Sequence, residues 1–254
     1  MQVHREMIPG IFTMGNVVCG FFAILSAFDG KITTACWFVL LAGFLDVLDG
    51  KVARLSGSTS RFGVELDSLA DFLSFGVAPA VIVYVIKLHE LGEWRWILSV
   101  VFIIAAAYRL ARFNVLAETD EKKDFLGLPV PMAAIGLVSF VIFCWYLWGK
   151  LEYSEWLITM IVLFAFLMVS QVVYDALPDR FTNQRDRIKL AILILAGLAI
   201  AFKPRLLLFP FVALYILYGM IREGLRLFNA GVGRVTGRPF RTGKLRQDDS
   251  DEQE

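Results

Sequence analysis

Apolar stretches of about the length needed to cross a membrane recur almost from end to end of this chain, and that recurrence limits its fold more than any single motif. At 1.5 Å of rise per residue, about 20 helical residues cross a hydrocarbon layer of roughly 30 Å. Eight such runs can be read, at 9–28, 32–50, 66–88, 95–113, 131–149, 155–174, 188–203 and 206–223. Of the 254 residues, 57% fall in the AVILMFWYC set and only 19% are charged, which is too apolar for an ordinary soluble domain. Lipid offers backbone amides no water, so each run must satisfy its own hydrogen bonds as a helix. The expected fold is all-α: a polytopic membrane helix bundle of about eight transmembrane helices.

Residues 1–223 form a single expected transmembrane domain, with a catalytic core at about 10–175 and a charged, flexible cytoplasmic tail at 224–254. Lys203, Pro204 and Arg205 alone separate the last two runs, so these read as a tight hairpin. The start, "MQVHREMIPGIF", lacks a basic region followed by a small-residue cleavage site, so the first run is expected to be a retained helix. Cys19, Cys36 and Cys144 lie inside runs without C-x-x-C spacing, and His4 and His89 stand alone, which argues against disulfide, zinc and Ser-His chemistry. No nucleic-acid partner is expected. Most of the 25 Lys and Arg residues fall in alternate loops and the tail, which orients the segments near 51–61, 109–123 and 180–189 to the cytoplasm of a cell (inner) membrane.

The stretch "DVLDGKVARLSGSTSRFGVELDSLAD", residues 46–71, sets acids into this oily context. Asp46, Asp49, Gly50 and Ala53 stand at i, i+3, i+4 and i+7 and share one helical face; Gly63, Asp67 and Asp71, spaced by four, share a face of the next helix. The short polar link between them makes the two helices antiparallel neighbours, so four carboxylates can converge. An isolated aspartate inside a span costs about 2.5–3.5 kcal/mol, and clustering adds repulsion. Pairing with Arg54 and Arg61 is one remedy. Hard divalent cations answer better, because oxygen-only ligation suits Mg²⁺ or Mn²⁺ and two ions balance four charges. Gly50, Ala53 and Gly63 leave room for a bulky ligand or for close helix packing, and Arg54 suits a phosphate or an inside anchor.

The pattern D-x2-D-G-x2-A-R-x8-G-x3-D-x3-D, running from Asp46 to Asp71, resembles at every defined position the signature of the CDP-alcohol phosphotransferases, integral membrane enzymes of phospholipid synthesis. The resemblance implies transfer of a phosphatidyl group from a CDP-linked lipid to an alcohol, with release of CMP. It implies that Asp46, Asp49 and Asp67 ligate two divalent metal ions, and that Asp71 is a metal ligand and also the general base. It places Gly50, Ala53, Arg54 and Gly63 around the CDP group, with Ser60 as a phosphate or nucleotide contact. Thr13 and Asn16, in "TMGN", resemble the polar pair that family members present to the nucleotide; two polar residues at a helix start also read as a cap. A homodimer among membrane lipids is implied as well.

"DSLADFLSFGVAP" at 67–79, "ARFN" at 111–114 and "FLGLPVP" at 125–131 are similar to what serine-using bacterial and archaeal members of the family show. The substrates so implied are CDP-diacylglycerol, or CDP-archaeol, and L-serine. Serine is a small zwitterion that needs a cation for its carboxylate, and Arg112 and Asn114, with Arg109 one turn earlier, lie where they can help supply such a site or serve as inside anchors. Glycerol 3-phosphate and inositol phosphate are the alternative acceptors. A membrane cation transporter is the rival from another class, weakened because no second acidic cluster in residues 131–223 answers the first.

Overall fold

The computed structural model describes residues 3–56, 61–117, 125–151, 154–170, 172–174, 197 and 199–235. Its helices are α1 (Val3–Phe28), α2 (Ile32–Ser56), α3 (Arg61–Asp71), α4 (Ala78–Ile86), α5 (Trp94–Ala117), α6 (Val130–Trp148), α7 (Glu155–Val169) and α8 (Pro204–Val235). Six helical spans among the described residues are long and apolar enough to cross a membrane, so the chain is an all-helical, multi-pass bundle. Two boundaries differ from expectation, those of the sixth run and of the last. The sixth apolar run yields only α7, which ends at Val169 because Ser170 turns extended (φ −61°, ψ 166°); at 15 residues it falls short of a full crossing. The seventh run, 188–203, lies mostly outside the described residues. Helix α8 continues past the expected end of the last span, to Val235.

The helices pack through small side chains. Ala23 and Ala27 of α1 and Ala35, Cys36, Val39 and Ala42 of α2 are all fully buried, which brings the two backbones close over their length. The contacts Thr13–Asp49, Gly15–Leu45 and Phe22–Phe38 place α1 and α2 antiparallel. Gly30, Gly92 and Gly149 adopt positive φ (75°, 59° and 64°) in the turns that close this end of the bundle, a conformation side chains resist. Beside the second of these turns, Lys87 pairs with Glu90 (2.6 Å) and Glu155 (2.8 Å), tying the end of α4 to the start of α7. The three cysteines are buried and free, consistent with packing.

The third span, Arg61–Ile86, is continuous but changes pitch: α3 passes into a π-helical turn, Phe72–Val77, before α4 resumes. Pro79 supplies a reason. It has no amide proton for the carbonyl of Phe75 and its ring crowds that turn, so a locally wider helix relieves the conflict. The turn follows Asp71 directly. Its Ser74 hydroxyl donates to the Asn16 carbonyl of α1 (2.9 Å), and this contact requires Gly20, where a Cβ would collide with Ser74 Oγ.

At the opposite end from the glycine turns, a minimal antiparallel ladder pairs Phe125–Leu126 with Val173–Tyr174. The "GLPVP" segment is thereby bound to the end of α7: the Gly127 amide donates to Val172 O (2.8 Å) and the Leu128 amide to Leu167 O (3.0 Å). Gly127 has φ 79° and lies against Met168 O, where any side chain would clash. Pro129, with extended ψ (137°), and Pro131 then open α6, where a missing amide proton costs nothing.

Candidate active site

Four helical segments converge beneath this second end. Asp46 and Asp49 share the same side of α2, and Asp67 projects from α3; one carboxylate oxygen from each lies within 4.8 Å of the others. Asp71, one turn beyond Asp67, approaches Asp46 to hydrogen-bonding reach. The expected convergence of the two acidic faces is therefore present. Its cause is α1, which packs against both helices, antiparallel to α2 and parallel to α3, as Thr13–Asp49, Asn16–Asp71 and Gly20–Ser74 show.

Helix α1 supplies the polar floor. Thr13 Oγ1 donates to Asp49 Oδ2 (3.1 Å), and Asn16 Nδ2 donates to Asp71 Oδ1 (3.2 Å). Thr13, Asn16 and Asp49 are buried. These two bonds orient carboxylates that would otherwise turn away from one another. They leave Asn16 Oδ1 and Asp67 Oδ1 buried without a hydrogen-bond partner, a costly condition unless a ligand meets them. Carboxylate oxygens dominate the centre, and two of its buried oxygens, Asn16 Oδ1 and Asp67 Oδ1, are orphaned. The residues thus fit a hard divalent cation, and the cluster could hold one.

The surroundings leave space. A Cβ added at Gly50 would meet nothing within 4 Å, although the residue adjoins Asp49 in the acidic face. Gly63 is exposed in the first turn of α3, one turn before Asp67. Ala53 and Arg54 continue α2 at its site end, and only their backbone is described; Ser60 lies outside the described residues.

On the other flank, α5 runs antiparallel to the third span. Gly76 packs against Ala106, and Asn114 Nδ2 donates to Ser68 Oγ (2.9 Å). Arg112 directs its guanidinium at the end of α7, donating to Val169 O (3.1 Å), Met168 O (3.2 Å) and Ser170 O (3.3 Å), and stacks over Tyr108. It satisfies carbonyls that the last helical turn leaves without donors. Arg109 is buried, with its guanidinium over Phe113 at 5.1 Å. Ser68 and Ser74 also fasten the site; as isolated serines in apolar surroundings they carry no spacing signal that would have singled them out.

Residues 6–172 match the CDP-alcohol phosphatidyltransferase family. The chain belongs to that family. It is 38% identical over 222 residues to a CDP-diacylglycerol–serine O-phosphatidyltransferase of Helicobacter pylori, covering 85% of this chain and 90% of the relative. It is 39% identical over 173 residues to an archaetidylserine synthase of Methanothermobacter thermautotrophicus, covering 66% and 69% respectively. It is also 37% identical over 131 residues to a CDP-diacylglycerol–serine O-phosphatidyltransferase of Bacillus subtilis, covering 52% and 73%. The matched region contains the whole segment from Asp46 to Asp71, in which Asp46, Asp49 and Asp67 gather and Asp71 follows one turn beyond Asp67.

Proposed function

We propose that this chain transfers a phosphatidyl group from CDP-diacylglycerol, or its archaeol counterpart, to the hydroxyl of L-serine, giving the phosphatidylserine-type lipid and CMP. The observation that carries the reading is the cluster of Asp46, Asp49 and Asp67 within 4.8 Å, with Asp71 oriented beside it by Asn16. The names of the relatives supply the acceptor and the lipid. Asp46, Asp49, Asp67 and Asp71 would hold two divalent ions, Mg²⁺ or Mn²⁺. Bound there, the ions supply charge neutralisation for the pyrophosphate and for the departing CMP.

The remaining work falls to the chain. Asp71 accepts the proton of the serine hydroxyl as the serine oxygen bonds to the phosphatidyl phosphorus; the bond from that phosphorus to the CMP oxygen breaks, and CMP leaves with the electron pair. Asn16 holds Asp71 in place for this transfer. Thr13, Asn16, Gly50, Ala53, Arg54, Ser60 and Gly63 form the CDP-lipid side, supported by the open space at Gly50 and by the family pattern. Arg112 and Asn114 bound the acceptor side, with Arg112 fixing the end of α7 and Asn114 bracing Ser68 next to Asp67. The basic loops favour a cytoplasmic mouth in the cell membrane, which suits a water-soluble nucleotide and amino acid. Two copies of the chain are proposed to associate through membrane helices.

The test is CMP release by the purified protein in lipid, with CDP-diacylglycerol, Mn²⁺ or Mg²⁺ and each labelled acceptor in turn. Release with L-serine is expected. Release with glycerol 3-phosphate or inositol phosphate but none with serine would overturn the acceptor, and no CMP from any acceptor would overturn the proposed reaction.

A further inference from the structure

Arg109 is buried to all but 6% of its surface, inside a span, and its Nε has no hydrogen-bond partner. Such a guanidinium is expensive in a low-dielectric bundle unless something is meant to meet it. Its position follows from the register of α5 against the third span. Gly76 faces Ala106 on one side of it and Ser68 bonds Asn114 on the other, so an antiparallel pairing sets Arg109 level with Phe72 and Leu73, within a turn of Asp71. The charges Arg109 feels are those of Arg112, one turn along the same helix, then of Asp71 and of Tyr215 on α8. Arg112, by contrast, faces the end of α7 and donates to three backbone carbonyls there. The two arginines of "YRLARFN" therefore divide the work: one closes a helix, while the other sits beside the base with donor capacity in reserve.

We infer that Arg109 binds the carboxylate of the amino-acid acceptor beside Asp71 and is the residue that makes a carboxylate-bearing alcohol the preferred substrate. This rests on the proposed serine transfer. A guanidinium fork matches a carboxylate in plane and charge, and a buried one rejects an uncharged analogue, because the analogue leaves it desolvated and unpaired. Gly127, in the loop bound to the end of α7, lies against the Arg112 guanidinium one turn further along α5. The alternative role is a fixed counter-ion for the four aspartates.

The experiment compares L-serine with L-serinamide, which keeps the hydroxyl and amine and lacks the carboxylate, in the wild type, Arg109→Gln and Arg109→Lys. Binding of Mn²⁺ and of CDP-diacylglycerol by each detergent-purified protein is measured alongside. For Arg109→Gln, the KM for serine should rise about 10- to 100-fold and the preference for serine over serinamide should fall by a similar factor, with Mn²⁺ and CDP-lipid affinity retained. Arg109→Lys keeps the charge but loses the fork, so its serine KM should rise by about tenfold. An unchanged serine KM and an unchanged preference in the lysine variant would overturn the assignment, even if the glutamine variant fails to fold. A fall in Mn²⁺ affinity and kcat at constant serine KM would make Arg109 a counter-ion only. A wild type that releases no CMP with serine would instead sink the proposed reaction.

Discussion

Asp71 and Asp49 are three-dimensional neighbours with different supports, and their substitutions should separate. Asp71 Oδ1 takes its hydrogen bond from Asn16 Nδ2, which an asparagine at 71 can still accept through its amide oxygen. Asp71→Asn should therefore fold and keep much of the metal affinity while losing CMP release by about 10²- to 10⁴-fold, the usual size of a general-base contribution. Full turnover by that variant in the labelled-serine assay would remove Asp71 from the base role. Asp49, buried and bonded to Thr13, lies within the three-carboxylate cluster. Asp49→Ala should chiefly weaken Mn²⁺ binding, read by the concentration of Mn²⁺ needed for half-maximal activity. That these aspartates share helical faces was legible from their spacing. The roles of Asn16, Ser74 and Arg109 were less so, because a single polar residue on an apolar helix has no partner until another helix is placed against it.

Among elements, the third span has the most specific construction. Its π-helical turn puts Ser74 against the Asn16 carbonyl, and Asn16 in turn holds Asp71, so a distortion of α1 at Gly20 should reach the site. Gly20→Ala drives a methyl into Ser74 and should destabilise the protein by about 1–3 kcal/mol, with a loss of kcat greater than any change in CDP-lipid affinity. Thermal unfolding in detergent together with steady-state kinetics would check both effects. Helix α7 depends on a different device. Arg112 closes its C-terminal turn with three hydrogen bonds, so Arg112→Met should lower thermal stability by about 1–3 kcal/mol. Pro79 and the "GLPVP" prolines could be recognised in the sequence as breaks in regular helix. That one would widen a helix without ending it, and that the others would lean on α7, depended on the neighbouring helices.

For the whole molecule, the carboxylate cluster couples metal binding to folding. Charges of one sign held together in a bundle oppose its assembly, and an ion bound only by the folded state stabilises it by mass action. Adding Mn²⁺ to about 100 times its dissociation constant should raise stability by about 2.7 kcal/mol, and a chelator should reverse the gain. A melting temperature indifferent to Mn²⁺ and chelator would contradict the metal assignment. The same bundle buries Ala23, Ala27, Ala35 and Ala42 to zero exposure, so close helix packing and the shape of the acidic site arise from the same contacts.

Apolar runs and their spacing were enough to determine a membrane-embedded, all-helical chain, and the i, i+3 and i, i+4 placement of Asp46, Asp49, Asp67 and Asp71 determined two acidic faces. Both are local properties, fixed by hydropathy and helical periodicity within one segment. Tertiary structure alone decided that α7 stops short of a full crossing, that Arg112 caps it, and that Arg109 is buried within its span with its Nε unpartnered. The physical reason is that a helix carries no information about its own rotation or register against its neighbours. Those are set by which small residues let two backbones touch, as Gly76 and Ala106 do here.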